Sequence, residues 1–396
     1  MELTIRSGNR VAPGALPVEV VERKGAGHPD SVCDGIAEHV CVRLCRWYLE
    51  RFGLILHHNV DKVLLCGGAS RPGFGGGHVL EPIEIYLAGR ATTEHAGVKI
   101  PVHEIAVDAC RDWLSAHFRY LDVNRDVRII SRLRPGSTDL SRLFTRSAGR
   151  PLANDTSCGA GFAPLTDLEK AVIEVERTLN DPRTKGVHPQ IGEDIKVMGV
   201  RRDGAIELTV SCAFVGRFVA SLEDYVTKKQ AAARLAVEAA RKVTALPVRV
   251  ALNMADDLAR GDVFLTVTGT SAEAGDDGQV GRGNRVAGII TPYRVMTLEA
   301  AAGKNPVSHV GKLYNLLAMR IAQSIVRQLQ GVDDVACVMV GQIGRPVDEP
   351  QLVDIDLVTS AVPTELTRRV TDLVHAGQQQ LRDLRDELIT ERLSVY

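Results

Sequence analysis

The chain has 396 residues, of which 45% are hydrophobic and 24% charged, and its formal net charge is −1 at pH 7. This composition is typical of a folded globular protein and excludes an intrinsically disordered chain. The near-neutral balance provides no overall basic field that would attract nucleic acid or an anionic membrane surface, so neither is expected as a partner.

The eight cysteines contain no Cys-x-x-Cys pair, and the N-terminal stretch has no apolar core of a signal peptide. No uncharged apolar run reaches the roughly 18 residues that a membrane span needs. We therefore expect free thiols in a reducing cytoplasm. Cys41 and Cys45 lie four residues apart on a predicted helix, where packing is favoured over metal binding. His57 and His58 have no third soft ligand at a convincing spacing, so zinc is not predicted.

The first predicted elements are a strand and a long helix. The strand covers 18–24, where β-branched residues alternate with charged ones. A turn over 25–30 follows, and then a helix whose apolar residues recur at four-residue spacing. Ser31 followed by Asp34 resembles a capping box at the start of this helix, and Gly53 fits its end.

Two strands and a second helix are predicted next. The strands cover 62–68 and 78–90, and the glycine-rich stretch 69–77 between them is either a mobile hairpin loop or an active-site lid. A helix over 102–118 and a strand over 127–133 follow.

The rest of the chain continues to mix helices and strands. In chain order we predict a helix over 168–179, strands over 194–200 and 205–215, a helix over 222–243, strands over 248–254 and 263–269, a helix, a strand over 335–344 and a helix over 364–388. Asn305 and Pro306 form a good N-cap and N1 pair for the helix before the last strand. Paired strands followed by a helix recur about three times, which indicates one compact α/β unit with several lobes.

The turn Gly27-His28-Pro29-Asp30 is the first candidate site. It joins a strand to a helix N-terminus, where backbone N–H groups and the helix dipole favour an anion. His28 can donate to an oxyanion, and Asp30 offers the hard oxygen that Mg²⁺ prefers. A plain tight turn, with Asp30 as a helix-start residue, is the alternative.

The glycine-rich loop 268–285 is the second candidate site. It combines three carboxylates with two arginines, a mixture that suits Mg²⁺ and a polyphosphate. These residues are Glu273, Asp276, Asp277, Arg282 and Arg285. The alternative is a solvated surface loop whose charges neutralise one another.

The segment 299–306 contains small residues and Lys304 and precedes another predicted helix. It lacks the Walker A pattern. With the preceding loop, this makes the segment from Thr268 to Lys312 the predicted phosphate-handling centre. Two polar islands, 154–156 and 194–196, lie beside apolar runs, and each alone is more often structural.

Several long segments together resemble the S-adenosylmethionine synthetase (methionine adenosyltransferase) family, in its archaeal-type branch. They include GAGHPDSVCDGIAEH (25–39), PLANDTSCGAGFAPL (151–165), GEDIKVMG (192–199), TVTGTSAEAGDDGQVGRGNRVAGIITP (266–292) and EAAAGKNPVSHVGKLYN (299–315). They stand in the family's order and span nearly the whole chain.

The resemblance implies that the sulfur of L-methionine attacks C5′ of ATP and expels the triphosphate, which is then cut to pyrophosphate and phosphate. A thioether attacks without losing a proton, so no general base is needed, and preorganised cations should supply most of the barrier reduction. Mg²⁺ is implied as cofactor, with K⁺ as a monovalent cation. A homodimer, or a dimer of dimers, with active sites at the subunit interface is also implied.

The implied fold is α/β, of the α+β type. Three similar β-sheet-plus-helix subdomains would have a pseudo-threefold arrangement, with approximate, interleaved ranges 18–150, 151–246 and 247–396 of one catalytic unit.

Position by position, the resemblance implies a role for each matching residue. His28 would contact the phosphate chain near the C5′ oxygen, and Asp30 would bind Mg²⁺. Lys196 and Lys304 would hold the triphosphate, and Arg282 would assist its hydrolysis. Asp155 and Asp194 would contact adenosine or its ribose, Asp277 would hold the amino group of methionine, and Gly136, Ser137 and Asp139 would form an ATP loop.

The sequence departs from the bacterial and eukaryotic branch at several positions. Lysines of that branch are replaced by Ser31, Gly283 and Ser308, a metal-binding Asp by Val310, and a methionine-binding Glu by Ala69. The second metal site, the K⁺ ligands and the methionine pocket therefore stay unassigned. Ser308 is kept as a substrate-binding candidate, and Arg285, His309 and Lys312 are candidates for the missing positive charge.

Two alternatives remain beside an S-adenosylmethionine synthetase. One is a synthetase of a specialised pathway that uses a related thioether. The other is a non-catalytic, nucleotide-binding regulatory subunit, against which the retained His28, Asp30, Lys196, Arg282 and Lys304 argue.

Overall fold

A computed structural model describes residues 2–8, 10–136, 150–360 and 363–396. Its strands are β1 (Glu2–Ser7), β2 (Val18–Lys24), β3 (His58–Cys66), β4 (Ala69–Gly73), β5 (Gly76–Glu81), β6 (Ile83–Ala91), β7 (Glu94–His95), β8 (Val98–Lys99), β9 (Val127–Arg134), β10 (Cys158–Ala163), β11 (Ile191–Arg202), β12 (Ala205–Val215), β13 (Val248–Leu252), β14 (Leu265–Thr266), β15 (Gly278–Gln279), β16 (Val332–Val340) and β17 (Leu352–Thr359). The described α-helices are α1 (Pro29–Phe52), α2 (Val102–His117), α3 (Asp167–Asn180), α4 (Pro182–Val187), α5 (Leu222–Arg241), α6 (Val310–Gln328), α7 (Pro363–Gln378) and α8 (Leu381–Ile389).

Three mixed sheets carry the fold. Sheet A has the strand order β1-β17-β16-β10, sheet B has β13-β12-β11-β2, and sheet C has β9-β6-β3-β15. In each order the first two strands are parallel and the following pairs are antiparallel. The short strand β14 extends sheet B beside β12. The same pairing pattern therefore occurs three times in one chain.

Helices cover each sheet and close two hydrophobic cores. Helices α1 and α2 lie on sheet C, α3 and α5 on sheet B, and α6 on sheet A, where α7 packs against it. One core combines the apolar faces of sheets A and C, and the other lies under sheet B. Strands β2 and β15 join sheets built largely from distant segments. The ranges proposed for separate subdomains stay a prediction.

Helix α1 runs through the first core and positions the candidate site at its N-terminus. Its first nine residues are all buried, although Asp30, Ser31 and Asp34 are polar, so this end of the helix is enclosed on every side rather than on one face. Gly35 allows the close approach of α2, because a Cβ there would lie 2.3 Å from the Trp113 ring. Gly53 ends the helix in the left-handed conformation, with φ 70°, as its position predicts.

Most predicted elements are present, but two helix starts differ from the predictions. His28, not Ser31, caps α1, and its ring nitrogen accepts the Asp30 N–H. His309, not Asn305, caps α6. The Asn305 side chain instead accepts the Val307 N–H at 2.9 Å and so forms a local turn.

Other elements also differ from the sequence predictions. The stretch 69–77 belongs to the hairpin β4–β5, and the helix predicted over 364–388 is divided into α7 and α8. The strand predicted over 263–269 is reduced to β14. Beyond it the N–H groups of Val267 and Thr268 donate to the Glu273 carboxylate rather than to a strand. Strands β1, β10 and β17 were not predicted. Among the described residues, none of the helices is long and apolar enough to cross a membrane.

Candidate active site

A cleft of about 700 Å³ lies where sheet B, the N-terminus of α1 and the loop after β14 meet. Its lining includes Lys24, His28, Asp30, Asp194, Lys196, Ser271, Asp276, Asp277 and Arg282. Residues from four separate segments of the sequence therefore surround one space, which we call the triphosphate cleft because a triphosphate is the ligand predicted for these residues from the sequence.

Two lysines enter the triphosphate cleft from adjacent strands. Lys24 ends β2 and is the direct register partner of Lys196 in β11, so both side chains leave the sheet on the same face. Their ammonium groups share Glu22, at 3.6 Å from Lys24 and 3.3 Å from Lys196. The Lys196 side chain is 39% exposed and can turn toward a ligand.

The turn before α1 fits closely against β11. The Gly27 N–H donates to the Glu193 carbonyl, and a Cβ on Gly27 would lie 2.3 Å from the carbonyl carbon of Glu193. A glycine is therefore required here by close packing. The consequence is that His28 is held at a fixed position over the cleft.

The geometry of His28 defines its tautomer. Its Nδ1 accepts the backbone N–H of Asp30 at 3.2 Å, so in the neutral ring the proton lies on Nε2. Burial, together with the charge of Lys24, lowers the pKa of His28 to about 4. His28 is thus a neutral N–H donor near pH 7, which suits a contact to an oxyanion.

Asp30 lies in the first turn of α1 and is nearly buried. One carboxylate oxygen accepts from the Lys24 ammonium at 2.9 Å, and the other accepts from the Gln279 N–H at 3.0 Å. The Arg282 guanidinium approaches the same carboxylate at 3.7 Å, although its own side chain is 70% exposed. Arg282 therefore has room to reach a bound anion.

Asp194 is fixed at the opposite wall of the cleft. Its carboxylate accepts from both the N–H and the hydroxyl of Ser271, at 2.9 and 2.5 Å. Burial raises the pKa of Asp194 to about 6, against the effect of these hydrogen bonds. Asp276 lies 3.0 Å from the same hydroxyl, whose single proton serves one carboxylate at a time. The loop thus brings two carboxylates together at one serine.

A second group of predicted residues surrounds Lys304, and we call it the Lys304 cluster. The Lys304 ammonium lies 2.9 Å from Asp61 and 2.7 Å from Glu299. Burial would raise the pKa of Asp61, but the charges of Lys304 and Lys62 lower it to about 2. Lys304 is only 3% exposed, and its own chain supplies both of its carboxylate partners.

Polar groups without partners lie beside the Lys304 cluster. His309 faces Asp155 at 3.5 Å, and the latter's side chain is 51% exposed. The buried Asn154 amide and the Ser308 hydroxyl have no hydrogen-bond partner among the described residues. Buried polar atoms are normally satisfied, so this side of the cluster is suited to a polar ligand.

The triphosphate cleft and the Lys304 cluster lie far apart within one chain. Gln279, which lines the cleft, pairs with Leu64 near the end of β3, whereas Lys304 pairs with Asn59 near its start. At about 3.3 Å per residue this places the paired backbones roughly 17 Å apart. The two groups of predicted residues therefore do not form one site within a single chain.

Three other candidate residues do not fit the roles predicted for them. Glu273 is buried and binds backbone N–H groups, so it is not a metal-ligand candidate at the cleft. Lys312 is wholly buried and donates to both oxygens of Glu38 at 2.7 Å, so it cannot supply the missing positive charge to a phosphate. Burial lowers the pKa of His309 to about 3, so its ring is neutral near pH 7 and adds no charge.

The remaining candidates occupy different places. Asp277 lines the triphosphate cleft, and its carboxylate accepts the Gly67 N–H at 2.8 Å. Arg285 donates to the Gly283 carbonyl at 2.9 Å and so stabilises its own loop. Gly136 follows β9, outside the cleft lining, while Ser137 and Asp139 lie outside the described residues.

Sequence reasoning did not identify Lys24 and Ser271 as site residues. Lys24 was assigned to a strand end, although its position just before the Gly27-His28 turn was a usable signal. Ser271 stands in a loop of small residues, and nothing in its spacing indicates a contact with Asp194. That contact depends on the packing of two distant segments.

The chain matches the family described as S-adenosylmethionine synthetase (AdoMet synthetase) over residues 2–392. A probable S-adenosylmethionine synthase of Aquifex aeolicus is 54% identical over 344 residues, which are 86% of each chain. The S-adenosylmethionine synthase of Pyrobaculum calidifontis is 46% identical over 403 residues, covering 100% of both chains.

A solved structure gives the same result for the fold. The unusual S-adenosylmethionine synthetase from Campylobacter jejuni is 15% identical, with a TM-score of 0.64 over 94% of this chain and 93% of that one. The α/β fold expected from the sequence is confirmed. The match across nearly the whole length, together with the relatives in Aquifex and Pyrobaculum, shows that this chain belongs to the S-adenosylmethionine synthetase family.

Proposed function

We propose that this chain synthesises S-adenosyl-L-methionine from ATP and L-methionine and then cleaves the triphosphate to pyrophosphate and phosphate. The observation that carries the proposal is the triphosphate cleft of a family member, where Lys24, Lys196 and Arg282 meet the neutral N–H donor of His28. A cleft with these donors fits a polyanion. The cleft wall at Asp194, whose side chain is buried, fits the nucleoside part of ATP, which carries less charge than the triphosphate.

The proposed reaction needs charge stabilisation more than proton transfer. The methionine sulfur carries no proton to remove, and negative charge accumulates on the triphosphate as the C5′–O bond breaks. His28 Nε2–H would stabilise that charge from a fixed position, without reorganisation of water, and Lys196 would turn toward the triphosphate from the cleft wall. Removing one such donor costs on the order of 10²–10³ in rate. Arg282, at the exposed rim, would assist the later hydrolysis of the triphosphate.

Mg²⁺ fits the hard oxygen donors of the cleft, and we assign it to Asp30 together with phosphate oxygens. Asp30 already faces Lys24 and Arg282, so its carboxylate lies where a metal–phosphate complex would have cations on either side. Bound Mg²⁺ would neutralise part of the triphosphate charge. K⁺ belongs to the proposal as an activating monovalent cation, without assigned ligands.

A homodimer, alone or as a dimer of dimers, would complete the site. Lys304, Asp155 and Ser308 are too far from the triphosphate cleft to act in it within the same chain. A partner subunit that places its own Lys304 cluster against the cleft would satisfy the buried Asn154 and Ser308 groups through the shared substrate. The eight free cysteines fit a reducing cytoplasm as the site of action.

The first test is a product assay. The purified chain is incubated with ATP, L-methionine, Mg²⁺ and K⁺, and S-adenosylmethionine, pyrophosphate and phosphate are measured. We expect all three products, with a requirement for Mg²⁺. An absence of S-adenosylmethionine at every cation concentration would sink the proposal. Parallel reactions with other thioethers distinguish a synthetase of a specialised pathway from one that prefers methionine.

The second test asks whether two subunits build one site. His28→Ala and Lys304→Ala proteins, each expected to be inactive alone, are dissociated, mixed and reassociated. If each site takes His28 from one subunit and Lys304 from the other, half of a random mixture is heterodimer with one intact site of two, and about a quarter of the wild-type activity returns. Mixtures that stay inactive, although heterodimers form, contradict the shared site.

A further inference from the structure

Two cysteines and a histidine meet in the protein core, behind the Lys304 cluster. Cys41, Cys45 and His58 are all 0% exposed, and their ligand atoms lie within 4.8 Å of one another. The His58 Nε2 is 3.1 Å from the Cys41 sulfur and 3.6 Å from the Cys45 sulfur. None of the three side chains lines the triphosphate cleft.

The local structure explains why these atoms converge. Cys41 and Cys45 stand four residues apart in α1, so both sulfurs lie on one face of the helix. His58 is the first residue of β3, which packs against that face. The spacing of Cys41, Cys45 and His58 in the sequence does not indicate a metal site, because His58 belongs to the strand after the helix that carries the two cysteines.

The tautomer of His58 directs a lone pair at the sulfurs. Its Nδ1–H donates to the Leu56 carbonyl at 2.9 Å, which leaves Nε2 unprotonated and facing Cys41 and Cys45. A hydrogen bond from the far ring nitrogen to a backbone carbonyl is the usual arrangement behind a metal-binding histidine. The ring is therefore fixed in the orientation that a metal needs.

The distances fit a small tetrahedral ion. Zn²⁺ binds thiolate sulfur at about 2.3 Å and imidazole nitrogen at about 2.0–2.1 Å, so a tetrahedral site separates these atoms by about 3.5 Å. The Cys45–His58 distance of 3.6 Å matches this edge. The Cys41–His58 distance of 3.1 Å would have to increase by about 0.4 Å, which a change in the Cys41 side-chain torsion can provide.

The charges of the neighbourhood fit a dipositive ion. Glu38 and Lys312, which face the cluster, form a pair with a net charge of zero, at 2.7 Å. Two thiolates and a neutral imidazole balance the charge of one divalent cation. The loaded cluster would therefore bury no net charge, and burying uncompensated charge is what a protein core does not tolerate.

We propose that Cys41, Cys45 and His58 form a structural binding site for one thiophilic divalent cation, with Zn²⁺ as the ion that fits best. Binding releases the two thiol protons and forms two metal–sulfur bonds and one metal–nitrogen bond. Glu38, which stands one turn before Cys41 in α1, stays paired with Lys312 and is not one of the ligands.

Such a site would hold α1 and β3 together behind Lys304. While Cys41 is protonated, its thiol donates to the Lys304 carbonyl at 3.2 Å, and the Lys312 ammonium donates to the same carbonyl at 2.8 Å. Metal binding releases the Cys41 proton and with it the first of these hydrogen bonds, so Lys312 alone would then hold the loop that carries Lys304. Its role is structural, because no ligand of the metal touches the space where substrates are proposed to bind.

Metal content and coordination test this inference independently of the enzyme activity. The wild-type chain is incubated with Zn²⁺, dialysed against metal-free buffer and analysed for zinc by mass spectrometry and by X-ray absorption at the zinc edge. We expect about one zinc per chain, with two sulfur neighbours near 2.3 Å and nitrogen or oxygen neighbours near 2.0–2.1 Å. Co²⁺ in place of Zn²⁺ should give sulfur-to-metal charge-transfer bands.

Variants and a matched control connect the metal to these residues. Cys45→Ser and His58→Gln should lower zinc affinity at least about tenfold, whereas Cys337→Ser, at another wholly buried cysteine, should retain it. Zinc lost on dialysis of the wild type, an absorption spectrum without sulfur neighbours, or equal binding by all variants would overturn the proposal. If the ligand variants do not fold, the wild-type absorption spectrum decides.

Discussion

Arg282 and Lys304 were predicted together as phosphate-binding residues, but their surroundings differ. The Arg282 side chain is 70% exposed, and its charge partner Asp30 also binds Lys24. The Lys304 ammonium is buried between Asp61 and Glu299, so its removal would leave buried carboxylates unpaired. Loss of stability can therefore mimic loss of catalysis at Lys304 but not at Arg282.

Arg282→Leu should separate the two steps of the proposed reaction. Because the side chain is exposed, we expect the free energy of unfolding to change by no more than about 0.5 kcal/mol. Triphosphate cleavage should fall on the order of 10²–10³ if Arg282 stabilises its transition state, while S-adenosylmethionine formation in a single turnover falls less. Rapid-quench measurement of both products gives the ratio. An equal loss in the two steps would refute this division of roles.

His28 should make stability depend on pH below neutrality. Its pKa is lowered to about 4, mainly by burial, from the ordinary value of 6.5. The unfolded chain therefore binds a proton that the folded chain excludes, so this contribution to stability is complete above pH 6.5 and is lost as the pH falls toward 4. Between pH 7 and 5 the loss should be roughly 1–2 kcal/mol. Urea unfolding of wild type and His28→Asn at both pH values measures it, and equal losses in the two proteins would contradict it.

At the scale of the element, helix starts were the least predictable feature. Asn305 and Pro306 have the residue types of an N-cap and N1 pair, yet α6 begins at Val310. The Asn305 amide is recruited by the Leu56 carbonyl, 3.1 Å away and distant in sequence, which holds the segment in a turn. Local propensity could not reveal a tertiary contact that overrides it.

Part of the candidate site follows from local pattern. The Gly27-His28-Pro29-Asp30 turn was predicted from its own residues and Lys196 only from the family resemblance, and His28, Asp30 and Lys196 line one cleft. The strand β10 was missed because its sequence, CGAGFA, is rich in small residues. These allow contact with α6, where a Cβ on Gly159 would lie 2.1 Å from the Tyr314 backbone. Such packing cannot be read from a single segment.

Helix α3 offers a test of capping at an element far from the cleft. The Thr166 hydroxyl accepts the Glu169 N–H at 3.1 Å, and the Glu169 carboxylate accepts the Thr166 N–H at 2.7 Å. Thr166→Ala should cost at least about 1 kcal/mol of unfolding free energy, because it removes this cap and the hydrogen bond that the hydroxyl donates to the buried Glu19 at 2.6 Å. Thr166→Ser keeps the hydroxyl and should retain most of the stability. Chemical denaturation compares them, and a Ser variant as unstable as the Ala variant would show that the methyl group, not the cap, matters.

For the whole molecule, the threefold repetition of sheet pattern raises the question of what joins the units. Each sheet contains a strand from a distant part of the chain. Strand β2 belongs to sheet B, whose other strands follow more than 160 residues later, and β15 belongs to sheet C, whose other strands lie far earlier in the chain. Hydrogen bonds between strands account for part of the connection. The rest of the connection is a buried contact between charged side chains, and it lies between sheets A and B.

Arg294 joins these two sheets through a buried ionic contact. Its guanidinium donates to Glu169 at the start of α3, at 2.7 Å, and to Asp334 in β16, at 2.6 Å, and its side chain is 1% exposed. Removing one partner of a buried ion pair leaves uncompensated charge, so we expect Arg294→Met to cost about 3–5 kcal/mol.

The matched control for Arg294 is Arg6, whose pair with Asp354 joins β1 to β17 at the surface. The Arg6 side chain is 48% exposed, so Arg6→Met should cost at most about 1 kcal/mol. Equilibrium unfolding of both variants, at a fixed protein concentration because the dimer is proposed, gives the comparison. If the two losses are equal, the buried pair does not hold sheets A and B together, and strand exchange alone must do so. A larger loss at Arg294, accompanied by a broader transition, would show that the sheets unfold separately once this contact is removed.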